Sequence, residues 1–84
     1  MHVYFITVRS ITFGQRAERV LRKNGLICSL QRTPGWMQEK GCGYCLRLRT
    51  ADIRPAVQLL KTAQVPYQRV YVQDGEGEVE EVRL

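Results

Sequence analysis

The chain has 84 residues and a formal net charge of +5, with 44% hydrophobic and 25% charged residues. These values are typical of one small soluble domain and leave no room for a second. No apolar run approaches the roughly 20 residues that cross a bilayer, and the first residues lack the pattern of a secretory signal. We therefore expect a cytoplasmic protein that does not enter a membrane.

Strand and helix patterns alternate through the first half of the chain. Residues 2–8 are rich in β-branched and aromatic types and predict a first strand. A helix follows, with Ser10 or Thr12 as its cap and an apolar stripe at helical spacing. Gly25 ends this helix, because glycine readily adopts the positive φ found there. Residues 26–32 then predict a second strand.

The second half contains a further strand, helix and strand. A loop at residues 34–43 leads into residues 44–49, which alternate in polarity as a half-buried third strand. Thr50 or Asp52 begins the second helix, and residues 67–73 predict a fourth strand. The order β-α-β-β-α-β predicts an α+β fold of the ferredoxin-like type. In such a sandwich, two helices cover one face of a four-stranded antiparallel sheet.

Charge is segregated along the chain. Residues 1–73 carry 12 basic and 3 acidic groups, a net charge of +9, whereas residues 74–84 carry five acidic groups and Arg83, a net charge of −4. We therefore predict a single ferredoxin-like domain at residues 1–73, followed by an acidic, mobile tail at residues 74–84. A basic domain attracts anionic partners, although such charge also serves solubility alone.

Several residues are candidates for partner binding. Alternation along the third strand places Cys45, Arg47 and Arg49 on the sheet face that the helices leave open. Arg69 in the fourth strand and Trp36 in the loop join them. An alternative function is thus a non-catalytic binding module for RNA or an acidic protein. Nucleic acid is disfavoured, because no RNP-like aromatic run is present. The open face also predicts a homodimer.

The most distinctive chemical feature is the sequence GCGYC. Cys42 lies between Gly41 and Gly43, whose backbone N–H groups can turn towards an anion, and Lys40 is nearby. The spacing of Cys42 and Cys45 suits a dithiol, half of a zinc site, or a thiolate with a resolving partner. Too few further ligands are present for zinc, and we expect neither a metal nor a cofactor. A dithiol redox protein and a turn cysteine without a role stay open as alternatives.

Over residues 3–72, the chain resembles the putative Se/S carrier protein-like family. The resemblance rests on the strand from Val3 to Val8, the helix that begins at Ser10 and contains Ala17 and Leu21, Pro34, Cys42-Gly43, the helix from Ile53 to Leu60, and Tyr67, Val70 and Tyr71. The family's distinguishing element is the Cys-Gly pair at the start of the third strand. Cys45 and the acidic tail are not part of this pattern.

The resemblance implies that Cys42 holds sulfur or selenium, as a persulfide or its selenium analogue. The expected partners are a donor protein, such as a cysteine desulfurase, and an acceptor protein, so the chain is at most a sulfur- or selenium-transfer protein. Lys40 would favour the thiolate, and Cys45 would release the cargo by attacking the inner sulfur. Cys28 alternates with leucines, and we expect it to be buried.

Overall fold

The computed structural model describes residues 1–33, 35 and 43–84. Five residues that the sequence singles out lie outside the described residues: Pro34, Trp36, Lys40, Gly41 and Cys42. Along the chain, the elements are β1 (His2–Val8), α1 (Ile11–Lys23), β2 (Cys28–Arg32), β3 (Tyr44–Thr50), α2 (Arg54–Thr62), β4 (Val70–Gln73) and β5 (Val79–Val82).

The strands form one antiparallel sheet in the order β2-β3-β1-β4-β5. β1 pairs with β3 along its whole length, from His2 opposite Thr50 to Val8 opposite Tyr44. On its other side, β1 pairs with β4. The α+β class is confirmed, and the first six elements follow the predicted β-α-β-β-α-β order.

The expected sheet of four strands is wrong, because Val79–Val82 adds a fifth strand to the outer edge of β4. This strand lies within the predicted tail. Gly77, with a φ of 85°, donates its N–H to the Asp74 carbonyl at 3.2 Å and turns the chain back. Val82 packs against the main core, and Val79 packs on the opposite face. Two apolar residues among acidic ones are too weak a pattern to predict a strand.

Both helices pack on the same side of the sheet and enclose the main core. From the strands, this core takes the side chains that alternate towards the helices, as predicted for Leu46 and Leu48. Its helical part consists of Ala17 and Leu21 of α1 and Ala56, Val57 and Leu60 of α2. No helix in the described ranges is long and apolar enough to cross a membrane.

α1 begins directly after the end of β1. Ser10 is its N-cap, and the hydroxyl oxygen accepts a hydrogen bond from the N–H of Phe13 at 3.2 Å. Gly25 follows the helix with a φ of 84°, as predicted. Gly14 allows close packing on the sheet, since a Cβ at this position would lie 2.5 Å from Cδ1 of Leu30. The first turns of α1 are therefore held against the sheet.

Candidate functional site

Gly43, the second residue of the Cys-Gly pair, immediately precedes β3. Its carbonyl accepts the N–H of Thr33 at 3.1 Å, which extends the β2–β3 pairing by one further residue pair. A Cβ on Gly43 would lie 4.0 Å from the carbonyl oxygen of Arg9. Gly43 therefore lies at the end of the sheet where β1 finishes and α1 starts.

Two sources of positive charge lie at this end of the sheet. The N-terminal end of α1 carries the equivalent of about half a positive charge, and its first turn contains no acidic residue. Arg9, which joins β1 to Ser10, is exposed and forms no ion pair with another described residue. A thiolate or persulfide anion is stabilised by such surroundings.

A cavity of about 390 Å³ lies beside this end of the sheet. Its lining consists of Arg9, Phe13, Pro66, Tyr67 and Gln68. Arg9 therefore borders both the cavity and Gly43. Arg9 and Phe13 are not predicted from the sequence as site residues. In the sequence, the sole indication is the basic residue Arg9 between the first strand and the cap of the helix. That Arg9 is a neighbour of Gly43 becomes clear only from the pairing of β1 with β3.

Thr7, at the end of β1, forms hydrogen bonds with the segment that leads into β4. The carbonyl of Thr7 accepts the N–H of Gln68 at 2.8 Å, and its hydroxyl oxygen accepts the N–H of Arg69 at 3.0 Å. The Thr7 N–H also donates to the Arg69 carbonyl at 2.8 Å, so Gln68 and Arg69 both lie opposite Thr7. The regular pairing of β4 therefore starts at Val70 rather than at residue 67 as predicted. The Thr7 side chain is fully buried, which makes its hydroxyl a structural group.

Cys45 lies on the sheet face away from the helices, as alternation predicts, but its side chain is 0% exposed. It packs with Phe5 in a second apolar cluster. The partly buried residues around this cluster are Val3, Tyr71 and Val79. Burial raises the pKa of the Cys45 thiol, against an opposing effect of hydrogen bonds with the Thr33 and Gln31 side chains. A thiol in this state is a poor nucleophile at neutral pH.

Cys28 is buried in the main core at 2% exposure, as predicted. Burial raises the pKa of its thiol, and the charge of Glu18 acts in the same direction. Arg22 opposes this shift through its charge and a hydrogen bond. Like Cys45, Cys28 is therefore held in the protonated form.

The structure separates the three arginines that the sequence grouped on the open face. Arg47 and Arg49 are exposed neighbours on one face of β3. Arg69 lies beyond β1, and its Nη1 donates to Oε1 of Glu81 at 2.9 Å. Arg69 is thus neutralised by the acidic end of the chain, whereas Arg47 and Arg49 form no ion pair within the described part of the chain.

Comparison with protein families matches residues 3–72 to the family described as "Putative Se/S carrier protein-like". Searches among curated proteins and among solved structures gave no significant match. The family match extends from β1 into β4, includes the Cys42-Gly43 pair, and stops before β5. Since it covers most of the 84 residues, the chain belongs to the putative Se/S carrier protein-like family.

Proposed function

We propose that the protein carries sulfur or selenium on Cys42, as a persulfide or its selenium analogue, and passes it to an acceptor. The observation that supports this most is the position of Gly43, where a Cβ would lie 4.0 Å from the Arg9 carbonyl oxygen, at the end of the sheet where α1 begins. The N-terminal end of α1 and the exposed Arg9 side chain give this end of the sheet positive charge, which favours the anionic form of a sulfur atom nearby. Membership of the putative Se/S carrier protein-like family supports the same function.

Loading is an exchange between a thiolate and a persulfide. The Cys42 thiolate attacks the outer sulfur of a donor R–S–SH, and a new S–S bond forms on Cys42 while the donor S–S bond breaks. The donor leaves as R–S⁻, so atoms and electrons balance without an external oxidant or reductant. Unloading repeats the exchange with an acceptor thiolate. One reactive cysteine is sufficient for the whole transfer.

Cys45 takes a packing role in this proposal. The release of cargo through Cys45 would need its thiolate to attack the inner sulfur, but burial keeps this thiol protonated. A dithiol redox cycle between Cys42 and Cys45 needs the same thiolate, so the single-cysteine carrier is the better explanation. The sequence-based roles of Lys40 and Gly41 beside the thiolate, and of Trp36 in partner contact, are kept as part of the proposal.

A carrier function requires a protein that donates the sulfur or selenium and a protein that accepts it. The proposed donor is a protein that forms a persulfide, such as a cysteine desulfurase, and the acceptor is a second protein with a nucleophilic group. A homodimer through the face that bears Arg47 and Arg49 stays a prediction from the sequence.

The proposal is tested by loading purified protein with a persulfide donor and measuring sulfane sulfur by cyanolysis. We expect one sulfane sulfur per chain, and none on Cys42→Ser. The matched controls Cys28→Ser and Cys45→Ser should load fully, because those thiols are buried. Arg9→Gln should load more slowly, with the rate restored at higher pH. Full loading of Cys42→Ser, or loss of loading only in folded Cys45→Ser, would overturn the proposal.

A further inference from the structure

A cleft of about 530 Å³ lies at the opposite end of β3 from Gly43, where β2 begins. Residues 43 and 49 are about 20 Å apart along an extended strand, so the cleft is separate from the candidate carrier site. Its main lining residues are Met1, Ile27 and Leu48, which are apolar, and Arg22, Arg47 and Arg49.

At this cleft, the edge of β3 is not covered by β2, because β3 continues beyond the residue at which β2 starts. The pairing of these strands begins at Cys28 opposite Leu48, so Arg49 has no β2 residue opposite it. The bond from the Thr33 N–H to the Gly43 carbonyl sets the alternation of the ladder. By that alternation, the backbone N–H and C=O of Arg49 point towards the side on which β2 has ended. The cleft thus presents a peptide edge without a strand partner.

Arginines lie on both sides of this edge. Arg47 and Arg49 belong to the face away from the helices and have no acidic partner among the described residues. Arg22 approaches from α1 on the helix side. Its Nη2 donates to the carbonyl of Cys28 at 2.6 Å, and its Nε lies 3.6 Å from Oε2 of Glu18. The first of these contacts holds the Arg22 guanidinium at the rim of the cleft.

Apolar surface lies between these charges. Met1 is 87% exposed and Ile27 is 85% exposed, more than the other large apolar side chains in the described ranges. Both line the cleft. Apolar contact area surrounded by polar or charged groups is the usual composition of a protein-binding site. A partner that fits this surface combines aliphatic side chains with negative charge.

We propose that the cleft binds an extended acidic segment of a partner protein, which adds a short strand to the open edge of β3 at Arg49. Alternate side chains of an added strand point to opposite faces of the sheet. Acidic residues at every second position of the segment therefore meet Arg47 and Arg49 on one face of the sheet. An aliphatic residue of the segment contacts Ile27 and Met1. No group in this site takes part in the chemistry proposed for Cys42, so the inference stands independently of the carrier function.

The test measures the binding of a fluorescent peptide, acetyl-Glu-Leu-Glu-Val-Glu-amide, to the full chain by anisotropy at low salt. The protein carries Cys42→Ser, which removes the reactive thiol and leaves the cleft unchanged. We expect saturable binding that weakens about tenfold or more in Arg47→Glu/Arg49→Glu, since a loss of about 1.4 kcal/mol is tenfold in affinity. The matched control Arg16→Glu/Arg19→Glu changes charge equally on the exposed side of α1 and should bind nearly normally.

A second peptide separates strand addition from simple charge attraction. Methylation of alternate backbone nitrogens keeps the glutamates but removes the donors that pair with β3, so we expect binding to be lost. Unchanged affinity of the methylated peptide, equal weakening in both double variants, or preference for an RNA oligonucleotide over the peptide would each overturn the proposal. Melting curves of all variants confirm that each compared protein is folded.

Discussion

The Cys45 thiol follows Cys42 by three positions, yet the sheet face around Phe5 encloses it completely. Cys28 is enclosed in the main core on the opposite face. Burial raises the pKa of both thiols, so neither supplies a thiolate readily at neutral pH. This leaves Cys42 as the cysteine available for sulfur chemistry in the proposed function.

The buried thiols also predict a pH dependence of stability. The pKa of the Cys45 thiol is higher in the folded state than its unfolded value of about 8.5, so the folded state retains the proton longer. The corresponding stabilisation is present below about pH 8.5 and is lost as pH rises through the folded pKa. We expect the free energy of unfolding, measured in urea, to fall more steeply above that pH in the wild type than in Cys45→Ser. Parallel curves would contradict this.

Thr7 offers a test of the junction between β1 and β4. Replacing the hydroxyl of the buried Thr7 side chain with a methyl group in Thr7→Val leaves the partly buried N–H of Arg69 without its acceptor. We expect a loss of about 1–3 kcal/mol in the free energy of unfolding, the usual cost of an unsatisfied buried polar group. The control Thr7→Ser keeps the acceptor and should lose less. A larger loss in Thr7→Ser than in Thr7→Val would show that packing of the methyl group, and not the hydrogen bond, holds the junction.

At the scale of elements, β5 distinguishes the structure from the mobile tail that the sequence predicts for residues 74–84. If β5 forms, part of this segment is held by hydrogen bonds to β4. The bond from the Asp74 N–H to the Glu78 carbonyl sets the ladder between β4 and β5. By alternation, the N–H groups of Glu80 and Val82 point to β4, and that of Glu81 points outward. Hydrogen exchange should therefore protect Glu80 and Val82 but not Glu81. Fast exchange at all three would support a mobile tail.

The sequence predicts the elements that have a strong pattern and misses those that depend on a neighbour. β1, α1 and β3 each carry continuous apolar content or clean alternation, and their boundaries agree closely with the structure. β5 has only Val79 and Val82 to pack, and its pairing depends on the free edge of β4. The start of β4 depends on a side chain, that of Thr7, which lies more than sixty positions away.

The same distinction applies to the candidate site. The Cys-Gly motif is visible in the sequence because its residues are adjacent. The surroundings of Gly43 are not visible, because Arg9 and Tyr67 come near the same end of the sheet only when β1 lies between β3 and β4. Arg22 was likewise missed, because its contact with the Cys28 carbonyl requires the packing of α1 against β2.

At the scale of the whole molecule, the two edges of the sheet differ in charge. The β2 edge and the end of β3 carry exposed arginines, whereas β5 carries Glu80 and Glu81. Residues 74–84 contribute −4 to the net charge of +5. Within the acidic side of the sheet, Glu81 forms an ion pair with Arg69. Exposed charge in the described ranges is therefore distributed unequally between the two edges of the sheet.

We expect the acidic edge to weaken the attraction of the protein to polyanions. Glu78→Gln/Glu80→Gln removes two exposed negative charges while keeping the Arg69–Glu81 pair and the β5 backbone. This variant should elute from a heparin column at higher salt than the wild type, because fewer negative charges oppose binding. In excess salt, where the screening length shrinks to about 3 Å, the column should retain neither protein. Identical elution would show that these glutamates are ordinary solvated groups.

The measurement that tests the carrier function most directly is the intact mass of the protein purified without reductant from cells, with the mass of the Cys42→Ser variant beside it. We predict that a fraction of the wild-type protein is heavier by one sulfur or one selenium atom. This increment should be lost on treatment with a thiol and should be located on the peptide that contains Cys42. The variant should show no such species. An increment that persists in Cys42→Ser, or a wild-type protein that stays unmodified even after incubation with a persulfide donor, would contradict the central claim.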